Sequence, residues 1–274
     1  MNLKRAKAVF LVIGIGFLVY AIYAAGGLRP MVLSVVRIGW WFPLAFLPTI
    51  VAQWLRTVAW SLVFEKGAAR PSMKALWRAR LVGESLNYLT FAGPLLGDPA
   101  KASLLKSETG CEKALSSVGI DRFLYALASG LFIAGAAFMW LGETGVVGIV
   151  GCCAAIALSP KLVRRFGHSV SARTSVVIVG IHVLSNICMA VEAAILLKGL
   201  GVDATILQSS SVEAIAKGLN GIFFFLPMQI GIAEGGNAML FQAMKMGTAV
   251  GLALGLARRV RSIAWSVLGL ALMA

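Results

Sequence analysis

Eleven acidic residues occur in the 274-residue chain, and six of them, Glu84, Asp98, Asp121, Glu192, Glu213 and Glu234, stand inside predominantly apolar stretches. A charge at the centre of a membrane helix costs about 2.5–3.5 kcal/mol on an insertion scale, so six unpaired carboxylates would cost on the order of 15–20 kcal/mol. They must therefore be paired, hydrated or protonated. Cations stand in the same stretches: Arg56, Lys101, Arg122, Lys217, Arg258, Arg259 and Arg261. Acids and bases together inside hydrocarbon imply a polar, partly wet cavity lined by both signs, suited to holding a charged head group or to moving protons.

Spacing sorts these residues. Glu84 and Asn87 are three apart and share a helical face; Asp98 and Lys101 repeat that spacing after a Gly93-Pro94 break. Opposed half-helices with polar groups at their broken ends can hold an ion or a charged head group inside a membrane. The alternative is an internal Glu84–Lys101 ion pair that only closes the hairpin. A second group holds Glu213, Lys217 and Asn220, then Pro227, Gln229, Gly231, Glu234 and Gly235. Asp121-Arg122 and Arg258-Arg259-x-Arg261 fall in two long apolar runs. Their guanidinium forks suit a lipid phosphate bidentately, or else they snorkel or neutralise the hairpin acids. Glu192 shares its run with Asn186 and His182, and His182 reads as a satisfied core residue.

Enzymatic patterns are missing. The chain holds no His-Glu-x-x-His, no Gly-x-Ser-x-Gly, no phosphate-cradling glycine loop and no Cys/His metal spacing, and its two histidines are His168 and His182. No catalytic residue, metal ligand or cofactor is assigned, although carboxylate-only membrane catalysis stays open. Cys111, Cys152, Cys153 and Cys188 read as packing residues.

The elements that must position these groups follow from composition. Hydrophobic residues make up 59% of the chain and mean hydropathy is +0.88, against roughly 45–50% apolar in a soluble domain, which excludes a soluble globular enzyme. Lys and Arg outnumber Asp and Glu by 25 to 11, a formal net charge of +14. No water-facing stretch is long enough to fold as a nucleic-acid module, so nucleic acid is excluded as a partner and the basic excess is assigned to the membrane. A helix crosses a hydrocarbon core of about 30 Å in roughly 20 residues. Spans 8–25, 39–64, 114–140, 174–197 and 247–273 meet that length, and 141–158 is a weaker one. Lys4, Arg5 and Lys7 before the first span have the charge order of a signal peptide, here read as a retained first helix. Segments 76–113 and 206–245 are interrupted by Gly and Pro. They read as re-entrant hairpins, because non-helical backbone at this depth survives only inside protein or beside a wet cavity.

The two hairpins align. Leu86-Asn87 followed by Pro94 and Gly97 matches Leu219-Asn220 followed by Pro227 and Gly231, at an offset of 133 residues. The same offset carries 8–25 onto 141–158, 39–63 onto 172–196 and 114–140 onto 247–273. The expected fold is an all-α integral membrane protein with two halves, 1–140 and 141–274, each of three transmembrane helices and one re-entrant hairpin. An odd number of crossings per half inverts the second relative to the first. With a cytoplasmic N-terminus, thirteen Lys and Arg fall inside and four outside, in line with the positive-inside rule. The hairpin tips then meet near the midplane from opposite faces. Trp40, Trp41 and Trp140, near span ends, read as interfacial anchors.

The run Gly83-Glu84-Ser85-Leu86-Asn87, then Pro94 and Gly97-Asp98-Pro99-Ala100-Lys101, resembles the Gly-Glu-x-x-Asn…Pro…Gly-Gly-Asp/Glu-x-x-Lys/Arg signature of flippase-like membrane proteins related to the transmembrane region of lysylphosphatidylglycerol synthase. Pro227, Gly231, Glu234-Gly235 and Arg258-Arg259-x-Arg261 are similar to that family's Pro-Gly-x-Gly-x-x-Glu-Gly and basic final-helix motifs, and Glu192 before Leu197-Lys198-Gly199-Leu200-Gly201 also fits. The hopanoid-biosynthesis-associated branch is the most similar in flavour. Ala92-Gly93 before Pro94, Leu96 in place of one Gly, and Met228-Gln229 depart from the pattern. No counterpart of the synthase's soluble aminoacyl-transferase domain stands in this sequence, so the resemblance implies lipid movement or handling and not aminoacylation.

The expectation is a lipid transporter or flippase-like protein of the bacterial inner membrane. Its partner is a membrane lipid of phospholipid, aminoacylated, hopanoid or polyprenyl-phosphate type, with lipid-synthesis enzymes as candidate protein partners. Head-group binding is assigned to Glu84, Asn87, Asp98, Lys101, Arg122, Asn220, Glu234, Arg258, Arg259 and Arg261, and Asp121, Glu192 and Glu213 are candidates for proton coupling. The alternatives are a secondary transporter of a small charged solute, a membrane-embedded lipid-modifying enzyme, and a non-transporting scaffold.

Overall fold

The computed structural model describes residues 28–64, 70–90, 93–141, 143–164, 170–222 and 232–273. Among the described residues the regular structure is helical, with no strand. The helices are α1 (Leu28–Ile38), α2 (Trp41–Leu44), α3 (Phe46–Ser61), α4 (Met73–Leu89), α5 (Pro94–Thr109), α6 (Cys111–Leu141), α7 (Glu143–Arg164), α8 (Ala172–Gly199), α9 (Ile206–Ile222), α10 (Ile232–Ala243) and α11 (Thr248–Ala271). The expected span 8–25 lies outside the described residues.

Among the described residues, three stretches are long and apolar enough to cross a membrane: Trp41–Ser61, Cys111–Trp140 and Ala172–Gly199. The weak span at 141–158 is α7, a 22-residue helix. The span at 247–273 is α11, 24 residues long and interrupted in character by its arginines. Two details depart from the sequence reading. No element is expected at 28–38, yet α1 forms there and packs on α11. The single helix expected over 39–64 is broken after Leu44. Pro48 explains the break, since a proline ring crowds the carbonyl four residues earlier and offers it no N–H.

Polarity is inverted relative to a water-soluble fold. Val36, Val147, Val150 and Val176 are 68%, 76%, 60% and 58% exposed, whereas Arg80, Lys101, His182, Asn186 and Glu192 are all buried. An apolar exterior around a charged interior is what a hydrocarbon solvent selects, because only protein partners can satisfy polar groups there. Apolar packing still ties the helices together: Trp60, Leu76, Leu105, Leu124 and Ile178 join α3, α4, α5, α6 and α8, while Ile38, Leu197, Val212, Phe241 and Leu254 join α1, α8, α9, α10 and α11.

Within the first hairpin, α4 ends at Thr90 and α5 begins at Pro94, whose missing N–H suits the first helical turn. Gly93 between them takes φ +42°, a left-handed value that glycine adopts without steric cost. The arms touch backbone to backbone. A Cβ built at Gly97 would fall on Asn87 Oδ1 and on the carbonyl oxygen of Gly83, so both glycines are required by close approach. Gly97→Ala is expected to lower stability by about 1–3 kcal/mol, read as a lower unfolding temperature in detergent. Gly119→Ala, where an added Cβ meets nothing within 4 Å, is the control that should leave it unchanged.

Helix contacts are reciprocal. Helix α4 packs on α11, α9 packs on α6, and α3 runs along α8. These contacts bring the polar faces of α3, α4, α6, α8, α9 and α11 together.

Candidate functional site

Arg80, Glu84 and Asn87 repeat at helical spacing along α4, which turns them to one side. Lys101 of α5 reaches that side, with Nζ 2.6 Å from Glu84 Oε1 and 3.4 Å from Asp98 Oδ1. Arg122 of α6 grips Asp98 with both prongs of its fork, Nε to Oδ2 at 2.8 Å and Nη2 to Oδ1 at 2.9 Å. Such bidentate pairs are the strong form of a charge-assisted hydrogen bond. One turn deeper on α4, Arg80 donates to Asp121 Oδ2 at 2.7 Å and to the carbonyl of Arg56 at 2.9 Å. His182 Nε2 stands 3.2 Å from the other oxygen of Asp121.

A second cluster is built by α8, α9 and α11. Arg258 donates through Nε and Nη2 to Glu192 Oε2 at 3.0 and 2.8 Å, and through Nη2 to Glu213 Oε2 at 3.0 Å. Arg261 Nη1 meets the remaining Glu192 oxygen at 2.5 Å. Lys217 lies 3.2 Å from Glu213 one helical turn away and donates to the Tyr125 hydroxyl at 2.9 Å. Tyr125 joins the two clusters: Arg56 Cζ and Lys217 Nζ lie 5.1 and 5.2 Å from its ring centroid, and the His182 ring meets it edge-on at 5.3 Å. Cations over an aromatic face are held by the ring quadrupole.

Between the clusters lies a partly open cavity of about 140 Å³, lined by α3, α4, α8 and α11. Arg56 and Arg261 enter from different helices, with Glu84, Gln53, Ser85, Tyr88, Ser262 and Trp265 completing the wall. Trp265 Nε1 donates to Thr49 Oγ1 at 3.3 Å, tying α11 to α3. Glu84 has a side chain 33% exposed, whereas its partner Lys101 is 4% exposed, so the carboxylate faces open space and the ammonium does not. Arg56 carries the other informative feature. Its contacts are the Ser185 hydroxyl at 3.2 Å and the Tyr125 ring, and no carboxylate among the described residues pairs with it.

The charges do not cancel. Glu84, Asp98, Asp121, Glu192 and Glu213 supply five negative charges, and Arg56, Arg80, Lys101, Arg122, Lys217, Arg258, Arg259 and Arg261 supply eight positive ones. Among the described side chains the interior is therefore electropositive, which favours an anion wherever water is excluded.

Of the residues expected to bind a head group, Glu84, Asn87, Asp98, Lys101 and Arg122 come together in the first cluster, while Arg258 and Arg261 meet Glu192 and Glu213 in the second. Arg259 is buried beside them on α11. Asn220 is not brought in: it is exposed near the C-terminal end of α9. Glu234 lies in the first turn of α10 with its side chain outside the described part, and Pro227, Gln229 and Gly231 lie outside the described residues. Glu192 and Glu213 each face two cations. Arg80 and Tyr125 were not singled out from the sequence. Arg80 had a signal, standing four residues before Glu84 on the same face; a tyrosine in an apolar helix has none. The four cysteines are unpaired thiols, with Cys111 and Cys153 exposed, and no acidic, His or Cys group among the described residues could hold a metal ion.

The family model described as the lysylphosphatidylglycerol synthase TM region matches residues 7–270, nearly the whole chain. No curated protein and no solved structure matches it.

Proposed function

The chain belongs to the lysylphosphatidylglycerol synthase TM-region family, and from that lipid-related membrane role we propose that it binds a polar or phosphorylated lipid head group in the α3–α4–α8–α11 cavity and moves it across the bilayer. The observation that carries this reading is Arg56, a cation on the cavity wall without a carboxylate partner among the described residues, opposite Arg261. A half-buried guanidinium placed in this way is matched by a phosphodiester, whose oxygens fit its fork. The step is translocation without covalent change.

An inverted repeat with halves 1–140 and 141–274 fits the same reading. The cavity takes two helices from each half, and the reciprocal packing of α4 on α11 and α9 on α6 is what two inverted halves produce. On this arrangement the two hairpins approach from opposite faces, with a cytoplasmic N-terminus in a bacterial inner membrane set by the basic bias of one side.

Purified protein in phosphatidylethanolamine/phosphatidylglycerol vesicles, with head-group-labelled phosphatidylglycerol as the probe, tests the proposal. Glu84→Ala, Asn87→Ala, Asp98→Ala and Glu234→Ala are expected to abolish translocation at unchanged expression. Wild-type rates in all four variants would overturn the site. Lipid-independent uptake of a soluble charged solute, or a covalently altered lipid in extracts of the incubation, would replace the reading with a solute transporter or an enzyme.

A further inference from the structure

His182 is fully buried on α8, and the head-group site does not use it. Its Nε2 faces Asp121 Oδ1 at 3.2 Å, off the line of a good hydrogen bond, and its Nδ1 has no partner among the described residues. The facing oxygen of Asp121 is likewise without a donor, and one helical turn along α8 both side-chain polar atoms of Asn186 are buried and unpartnered among the described residues. A buried polar group left in that condition loses its hydration with nothing in return. Several at one place, each with capacity for a further proton or partner, suit a site that changes its hydrogen bonding during function.

We propose that the His182–Asp121 pair is the proton-binding site of the transport cycle, loaded together with an anionic lipid head group. This rests on the head-group reading of the cavity above. One proton from water binds an imidazole nitrogen as the anion enters, and it returns to water when the anion leaves. The link to the cavity is short: the His182 ring abuts Tyr125, and Arg56 on the cavity wall lies over that same ring. An anion at Arg56 compensates the positive charge that a protonated His182 adds, so each ligand favours the other, and the coupling is reciprocal.

The charged groups that face His182 come from every side. Asp121 and Tyr125 approach from α6, Arg56 from α3, Arg80 from α4 through Asp121, and Lys217 from α9 through Tyr125. From α7, Lys161 is exposed at the surface. Arg258 and Arg261 of α11 are engaged at Glu192, ten residues and about 15 Å further along α8. Glu192, Glu213 and Asp121 each meet a cation, but of these three acids it is Asp121 that keeps a buried oxygen without a hydrogen-bond partner among the described residues, the oxygen that faces His182.

The test measures proton uptake by the full-length protein in weakly buffered detergent on addition of dioctanoyl phosphatidylglycerol, with dioctanoylglycerol as the uncharged comparison. Wild-type protein should take up about one proton per phospholipid bound and, because each proton taken up changes affinity about tenfold per pH unit, bind it up to about 100-fold more tightly at pH 6 than at pH 8. His182→Gln and Asp121→Asn should still bind the phospholipid, with that pH dependence flattened and the uptake lost, whereas His168→Gln should behave as wild type. Saturable binding without proton uptake, or undiminished uptake in His182→Gln, overturns the proton site and leaves the head-group reading standing. Absence of saturable binding to wild-type protein overturns the head-group reading and the coupling with it. If His182→Gln does not fold, imidazole ¹⁵N spectra of His168→Gln, whose one remaining histidine is His182, decide the matter. A signal that shifts between neutral and protonated forms on adding the phospholipid supports the site, and an unmoved signal overturns it.

Discussion

Arg56→Gln is expected to slow head-group translocation in reconstituted vesicles by at least about 30-fold while the unfolding temperature in detergent stays near that of wild type. Removing one partner of a desolvated charge pair costs about 2–5 kcal/mol, and about 1.4 kcal/mol is a factor of ten. In the unliganded protein Arg56 gives up little, since its contacts are a 3.2 Å hydrogen bond to a hydroxyl and a stack on Tyr125. Function and stability should therefore separate at this residue. Arg56→Lys keeps the charge and loses the fork, so an intermediate rate is expected. A wild-type rate in Arg56→Gln would show that the head group does not use this cation.

Glu192→Ala should do the opposite and damage the fold first. Glu192 is fully buried and accepts from Arg258 on one oxygen and from Arg261 on the other. Its loss leaves Arg258 with Glu213 alone and Arg261 without a carboxylate among the described residues, a defect of about 3–5 kcal/mol. The expected result is a sharply lower unfolding temperature or aggregation in detergent. Replacing the whole set, Glu192→Leu with Arg258→Met and Arg261→Met, should restore much of the stability, because apolar groups of similar volume often substitute for a buried ion pair without loss. Glu213 keeps Lys217 in that variant. Translocation should remain absent, since Arg261 lines the cavity. Recovery of stability with wild-type transport would remove α11 from the binding site.

These two residues also show where sequence reading reaches its limit. Both stand in apolar runs, and the cost of an intramembrane charge is enough to single them out. Nothing in the spacing says that Glu192 belongs to Arg258, 66 positions away, or that Arg56 finds no acid among the described residues. Seven cations and six carboxylates named from the sequence allow many pairings, and each choice depends on which helices become neighbours. Asn87 and Asn220 make the same point. They occupy matching places in two similar hairpins, yet Asn87 sits against Gly97 in the hairpin contact and Asn220 is exposed.

Local features were legible. The boundaries of α6, α8 and α11 fall within three residues of the spans expected at 114–140, 174–197 and 247–273, and the first hairpin breaks where Gly93 and Pro94 require it. The break after Leu44 also had a local cause in Pro48, although the apolar run masked it. Each of these depends on hydrophobicity, helix rise and backbone sterics, which act over a few neighbouring residues. The sequence by itself therefore determined a helical membrane protein with charged residues at depth. Only the tertiary structure decided which cations meet which carboxylates, that Arg56, Glu84 and Arg261 share one cavity, that Arg56 has no carboxylate partner among the described residues, and that His182 stands against Asp121. Those outcomes are set by distances between helices far apart in the chain, and Coulomb energies vary with separation and local dielectric in a way that no residue type or spacing encodes.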